Sequence, residues 1–430
     1  MKKVILTAGV LALGVVAMQD AHAQAVDKEK PWTVEGTLRG FYDDNYNTAP
    51  SGASNNRSSY GIEVHPSVDV KHTDGPDAFS ASYDYKSVYF FSRPGHSPDQ
   101  DHYIAAAWDH KFNANDSFNI AETFVDAQEP EVLNGANNIS TGIERQNGDN
   151  YHNNFNAGLI KQVNNLLGFH VGYANNWYHY TGNLISQGNP NAASYATLLD
   201  RVEHNITVDS RWTVDELTTA VLGYQFGIVD HTKGGSISST YNIPSKARDM
   251  YTHYVYVGLD HHFTENLIAS ARGGLQVSDF HEKSLASSDP TLVAPDSVSP
   301  YADLSVNYEY MDGGNASLGF TETQNATDAS TTFNQVSSSV YASLTQVLKP
   351  ISSDLVGKIT GRFQNSDYNG SLDCTSNGND KTYSHGLNLT YAFSKFVSTE
   401  IGYNYDKLTS VDSYRAYERN RVYIGVTGTY

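Results

Sequence analysis

The sequence predicts an all-β chain: a transmembrane antiparallel up-and-down β-barrel of about eighteen strands, with short periplasmic turns and long external loops. Three observations predict it. Apolar and polar residues alternate with period two along most of the chain, short and long connections alternate between those stretches, and aromatic residues gather at both ends of the alternating segments.

The alternation is clearest in YGIEVHPSVDV, residues 60–70. Tyr60, Ile62, Val64, Pro66, Val68 and Val70 share one face, and Gly61, Glu63, His65, Ser67 and Asp69 share the other, because successive side chains of a strand point to opposite sides. The same pattern sets Leu267, Ala269, Ala271, Leu275 and Val277 against Ser270, Arg272 and Gln276, and Ile401, Tyr403 and Tyr405 against Glu400, Asn404 and Asp406. A closed protein core could take up the charged face only by pairing every charge, whereas a water-filled lumen solvates it. The apolar face is therefore expected to meet lipid. Pro66 removes a ladder hydrogen bond, and a bulge is expected there.

Strands are expected at about 32–42, 59–72, 77–92, 101–113, 117–128, 150–163, 166–182, 198–214 and 218–231. They continue at about 248–263, 266–280, 298–311, 314–326, 332–348, 355–369, 380–394, 397–410 and 415–430. Short turns such as TDGP, NANDS, TEN and DGG alternate with long polar connections such as DDNYNTAPSGASNNRS and GNLISQGNPNAASYA. A membrane barrel with tight turns on one side and long loops on the other produces this rhythm. Phe112, Trp212, Phe263, Tyr310 and Phe393 stand beside short turns, and Tyr60, Trp177, Phe226, Phe363 and Tyr405 near long loops, as interfacial girdles require.

Residues 1–23 have a basic start (Lys2, Lys3), an apolar run from Val4 to Met18 and a small-residue site at Ala21–Ala23. That is the layout of a secretory signal peptide, leaving residues 24–430 as one outer-membrane barrel without an internal linker. Mean hydropathy is −0.46, which does not argue against a barrel, since only alternate residues face lipid. The formal charge is −19, and −20 once the leader with its two lysines and one aspartate is removed. That sign disfavours nucleic acid as a partner. Cys374 is the single cysteine, so the chain has no internal disulfide and no cysteine-rich metal site.

The segments YDDN (Tyr42–Asn45), AQEPE (Ala127–Glu131), LLDRVEHNI (Leu198–Ile206) and RNRVYIGVTGTY at the C terminus are similar to the type 2 β-barrel porin family of bacterial outer-membrane proteins. The resemblance runs through nearly the whole mature chain and implies architecture more than activity. It supplies no catalytic residues, and some similar proteins accompany exopolysaccharide export. The terminal strand, ending on Tyr430, also resembles the segment by which outer-membrane assembly machinery recognises barrels.

No nucleophile and base form a recognisable motif, so the reading is not an enzyme, and it names no cofactor and no metal site. His96, Asp99, Asp101 and His102 fall in one external loop and could ligate a cation, although a solvated loop is the better reading. His261 and His262 point to opposite faces and cannot chelate together. The pore-lining candidates are Arg39, Glu63, Asp69, Lys86, Arg201, Glu203, Asp209, Arg272, Lys358, Arg362 and Glu400. Rings of charge set ion preference, while mutual neutralisation would merely stiffen the wall. By analogy of fold with general porins, residues 129–149, carrying Glu129, Glu131, Glu144 and Arg145, are the candidate constriction loop. Two functions are consistent with these residues: a passive, weakly cation-selective channel for small polar solutes, or a structural or export barrel for exopolysaccharide. Outer-membrane lipid is the expected surroundings, and the oligomeric state stays open, a homo-oligomer included.

Overall fold

The computed structural model describes residues 30–50, 57–95, 97–127, 133–134, 139–140, 149–181, 193–238, 242–281, 284–286, 289–293, 296–329, 332–369, 378–411 and 415–430. Among them, eighteen long strands form one continuous sheet. They are β1 (Trp32–Asp43), β2 (Ser59–Asp74), β3 (Asp77–Phe90), β4 (Asp99–Lys111), β5 (Ser117–Ala127) and β6 (Asn150–Gln162). Next come β7 (Leu167–Tyr180), β8 (Arg201–Thr213), β9 (Thr218–His231), β10 (Met250–Thr264), β11 (Leu267–Phe280) and β12 (Ser297–Met311). The last are β13 (Gly314–Asn325), β14 (Asn334–Val347), β15 (Leu355–Asn369), β16 (Asn379–Ser394), β17 (Val397–Thr409) and β18 (Tyr417–Thr429). The proposed leader, residues 1–23, lies outside the described residues.

Each strand pairs antiparallel with its neighbours in the chain, and β1 closes the ring on β18, from Glu35 opposite Thr429 to Asp43 opposite Arg421. Reciprocal backbone bonds between Val34 and Tyr430, 3.0 and 2.8 Å, fix both ends of the barrel chain at the short-turn rim. Closure leaves no free edge, which is the condition for a sheet to stand in hydrocarbon. Two-residue turns at 75–76 and 312–313 place Gly75 and Gly313 at φ +57° and +70°, the left-handed region that tight hairpins need.

Two local expectations are corrected. Pro66 sits opposite Gly36 with no register shift, and on the β3 side the pairing resumes from Val64–Ser87 to Ser67–Asp84 without an inserted residue. The ladder therefore omits the bonds around proline rather than bulging. The eighth strand starts at Arg201 instead of 198, because Tyr195–Leu199 forms a one-turn helix, α1, capped where Ser194 Oγ accepts from the Thr197 N–H.

The facing of side chains follows the sequence phase. Val64 is 46% exposed and its neighbour Glu63 only 5%. Leu38, Ile206, Val257, Leu304, Leu318 and Ile424 likewise stand exposed on the outer face. In water this much exposed apolar surface would be a liability; around a barrel it is the lipid-facing belt. Phe112, Trp212, Phe263 and Phe393 are exposed at its short-turn border, and Tyr60 at its long-loop border. A closed antiparallel barrel with this belt, short turns on one rim and long connections on the other is the bacterial outer-membrane type.

The belt makes a sharp stability expectation. Val64→Arg, outward on β2, should cost about 2–4 kcal/mol if it lies near the midplane, whereas Ser67→Arg, inward between Glu35 and Asp84, should cost under about 1 kcal/mol. Urea unfolding in lipid vesicles measures both, and equal costs would mean that the faces are misassigned.

Candidate functional site: the inner wall and the long-loop mouth

The inner wall is a polar surface on which most charges are paired. Arg39 on β1 bridges two strands on either side: its Nη1 lies 2.7 Å from Glu63 Oε1 on β2 and its Nε 2.5 Å from Glu400 Oε1 on β17. Arg421 on β18 reaches the other Glu63 oxygen at 3.2 Å, and Asn388 donates to Glu400 at 2.8 Å. Glu63 therefore accepts from two guanidiniums. Each of these charges has lost much of its water, and the network offsets that loss by giving every carboxylate more than one donor.

Further round the wall, Lys86 lies 2.9 Å from Asp101, and Arg201 lies 2.7 Å from Glu203 while its guanidinium stacks 3.8 Å from the Tyr178 ring centroid. Asp209 accepts from Tyr256 Oη and stands 3.0 Å from His170 Nδ1. Arg272 and Arg211 converge on Asp260 at 2.7 and 2.8 Å. Arg362 donates to Ser339 Oγ and Gln364 Oε1, at 3.3 and 3.2 Å. Lys358 lies on the same inward phase of β15, and Asp69 faces inward on β2 opposite Thr33 and Ser82.

Inward tyrosines lie along the wall instead of across the lumen. A Cβ on Gly319 would fall 2.1 Å from Tyr341 Cζ, and one on Gly402 2.1 Å from Tyr423 Cζ. Only glycine lets the ring lie flat on the neighbouring strand, so these aromatic residues add area without narrowing the bore.

The long-loop mouth is narrowed by three segments that fold inward. Tyr195, Ala196, Leu198 and Leu199 of α1 pack with Ile237, Ile243 and Ala247 of the β9–β10 connection and with Phe333 before β14. They rest on Tyr178, Tyr180, Val229, Met250 and Phe280, which are inward residues of β7, β9, β10 and β11. This apolar cluster therefore lies inside the mouth, against the wall. Arg248 joins the segments: its guanidinium donates to the carbonyls of Leu198 (3.0 Å), Thr327 (2.9 Å), Ala329 (2.8 Å) and Thr332 (2.5 Å). Burial pushes this guanidinium down to about 9, opposed by the Asp328 carboxylate. Backbone carbonyls replace the water it has lost. From the other side Arg415 holds the same stretch, 3.0 Å from Asp328 and 2.9 Å from Asp380.

Sequence reasoning placed Arg39, Glu63 and Glu400 on one wall but not in one network, since strands far apart in sequence meet only when the ring closes. Asp260 was missed, although the outward Leu259 and His261 on either side give its phase. Glu129, Glu131, Glu144 and Arg145 lie outside the described residues. The described inward segments are instead 193–200, 236–238 with 242–249, and 326–329 with 332–333, and their signal was available: Leu198, Leu199, Ile237 and Ile243 are apolar residues in connections that should be wet. Nothing in the pattern announced Arg248. The loop of candidate cation ligands is divided, with Asp101 inward on Lys86, His102 outward and Asp99 on Arg93, while His96 lies outside the described residues.

Residues 315–430, from β13 to the C terminus, match the family described as "Putative beta-barrel porin 2". Of the motifs that carried the resemblance, only RNRVYIGVTGTY falls in that range. No curated protein sequence matches the chain. Among solved structures, OccAB3 of Acinetobacter baumannii matches at 11% identity and a TM-score of 0.42, covering 93% of this chain and 99% of its own. OpdK of Pseudomonas aeruginosa with vanillate matches at 10% identity and 0.41, covering 93% and 99%. OccK2 (OpdF) of Pseudomonas aeruginosa in complex with glucuronate matches at 11% identity and 0.43, covering 93% and 96%.

Glu63→Gln removes half of the acceptor that Arg39 and Arg421 share, leaving a buried guanidinium short of charge. The expected cost is about 3–5 kcal/mol, with the Glu63→Gln/Arg421→Gln pair costing less than the sum of the two single changes. A double-mutant cycle of urea unfolding measures the coupling, and strict additivity would show that the network is only geometric.

Proposed function

We propose that this chain is an outer-membrane channel for passive diffusion of small hydrophilic solutes, made after export of a precursor whose residues 1–23 are a cleaved leader. The observation that carries this reading is a closed barrel with an apolar outer belt and a polar inner wall. The chemistry asked of the protein is solvation and steric selection, not bond making, so no enzymatic role is proposed. Small polar solutes are the passengers, outer-membrane lipid the surroundings, and the outer-membrane assembly machinery the proposed partner in insertion.

Ion preference should be weakly for cations. The formal charge, −19 and −20 without the leader's two lysines and one aspartate, raises the local concentration of cations at the surface. Arg39, Lys86, Arg201 and Arg272 work against it by pairing with the wall carboxylates. Neutralised pairs exert little field on a passing ion, so the candidate lining residues stiffen the wall more than they filter.

The alternative reading, a structural or export barrel whose bore is opened for exopolysaccharide, is favoured by one feature: the apolar cluster and Arg248 lodge three segments in the mouth. One planar-bilayer experiment separates the two. Wild-type protein should conduct, with a reversal potential across a KCl gradient showing cation preference. That preference should fade as the Debye length falls from about 10 Å at 0.1 M to about 3 Å at 1 M salt. Arg248→Gln should raise single-channel conductance severalfold by freeing the lodged segments. Anion preference would overturn the electrostatic part. A silent wild type with a conducting Arg248→Gln would move the assignment to the closed export barrel.

A further inference from the structure

The outward face of β4–β8 departs from the rest of the belt. On β12 the outward positions Val298, Ala302, Leu304 and Val306 keep the surface apolar along the strand. On β5 they read Phe118, Ile120, Glu122, Phe124 and Asp126, so a carboxylate stands at the middle of Ser117–Ala127, and it is exposed. Every other outward carboxylate among the described residues lies within three residues of a strand end, where headgroups or water reach it. Beside Glu122 in register is Ala106, and beyond it Ala81, so no side chain covers it from that side.

Phe155 of β6 stands opposite it in register, and polar side chains lie diagonal to it and further round the face. Asn153 Nδ2 on β6 donates to Glu122 Oε1 at 2.9 Å. Asn175 on β7 lies 3.2 Å from His204 Nδ1 on β8, which also stands 2.9 Å from Tyr173 Oη. His102 on β4 sits opposite Asp126. A carboxylate offers about four acceptor sites, and one carboxamide leaves most of them bare. Lipid chains supply no donors, and a lipid phosphate would be repelled.

We infer that this face is a contact between copies of the chain in the membrane, with Glu122 inside it but off the two-fold axis, so that it meets the carboxamide and imidazole side of the second copy. A second copy is the occupant that fits by charge complementarity. The face carries acids together with carboxamides and imidazoles, so an isologous pairing brings the donors of one copy to the acid of the other. Partners in lipid gain no hydrophobic driving force, so close packing and hydrogen bonds across the contact must supply the association, as they do between transmembrane helices.

The test places photo-reactive benzoylphenylalanine at position 106 or 122 in the full chain, expressed with a second, differently tagged copy in cells. Illumination should give an adduct of twice the protein's mass carrying both tags, and benzoylphenylalanine at outward position 304 on β12 should give none. Position 106 removes no polar group, so it reports on the face even where loss of Glu122 alters folding. In native mass spectrometry from detergent, Glu122→Leu should lower the dimer fraction at least tenfold, and Glu122→Gln should retain it. No adduct from 106 or 122, an adduct with lipid or a different protein, or equal adducts from 304 would overturn the contact. Bilayer conductance is read in parallel and is independent of the outcome.

Discussion

The constraint on which the rest of this structure depends is that no backbone amide can be left bare in hydrocarbon. A sheet meets it only by closing on itself, and the β1–β18 ladder does that. Closure then dictates the rest. The ring has an inside and an outside, so the period-two alternation of each strand becomes a partition between lipid and lumen. Pro66 shows how firm the constraint is: the ladder gives up bonds at one point and keeps its register, because a shift would turn every later side chain of β2 to the wrong phase.

Closure also converts distance along the chain into proximity. Arg39 and Glu400 are neighbours only because the last strands lie beside the first. This sets what could be read in the sequence. Strand count, the short and long connections, the girdles and the facing of Val64 and Glu63 depend on local spacing, and were legible to within a few residues. Ion-pair partners depend on register and shear around the ring, which local spacing does not determine, so the two arginine partners of Asp260 and the double service of Glu63 were not legible. The start of β8 was misread because Leu198 and Leu199 are as apolar as a strand requires; their burial comes from contacts with Ile237, Ile243 and Phe333, remote in sequence.

The mouth follows a different rule from the wall. Along the wall, strands are held by ladders and side chains need only neutralise one another. The inward segments have no ladder to the barrel and must be held by side chains, which is why an apolar cluster and two arginines meet there. Arg248 serves carbonyls and Arg415 serves carboxylates. A guanidinium suits both tasks because its five donors form a fixed planar fork. Holding of this kind is weaker and more separable than a sheet ladder, so the mouth can change its bore without disturbing the barrel.

Charge placement therefore divides between two regions with different consequences. On the wall, Arg39 and Arg421 offset Glu63 and Glu400, Lys86 offsets Asp101, and Arg201 offsets Glu203, so a solute in the bore meets dipoles more than net charge. The formal excess of acids must then reside mostly elsewhere, on rims and connections, where salt screens it. At the mouth Arg415 stands between Asp328 and Asp380, and with Arg248 close to Asp328 the two carboxylates meet two guanidiniums. Burial raises the Asp328 carboxyl above its ordinary range, with Arg415 opposing that shift. Wall and mouth thus both hold charge in pairs, and what differs is the anchoring: on laddered strands along the wall, on connections at the mouth.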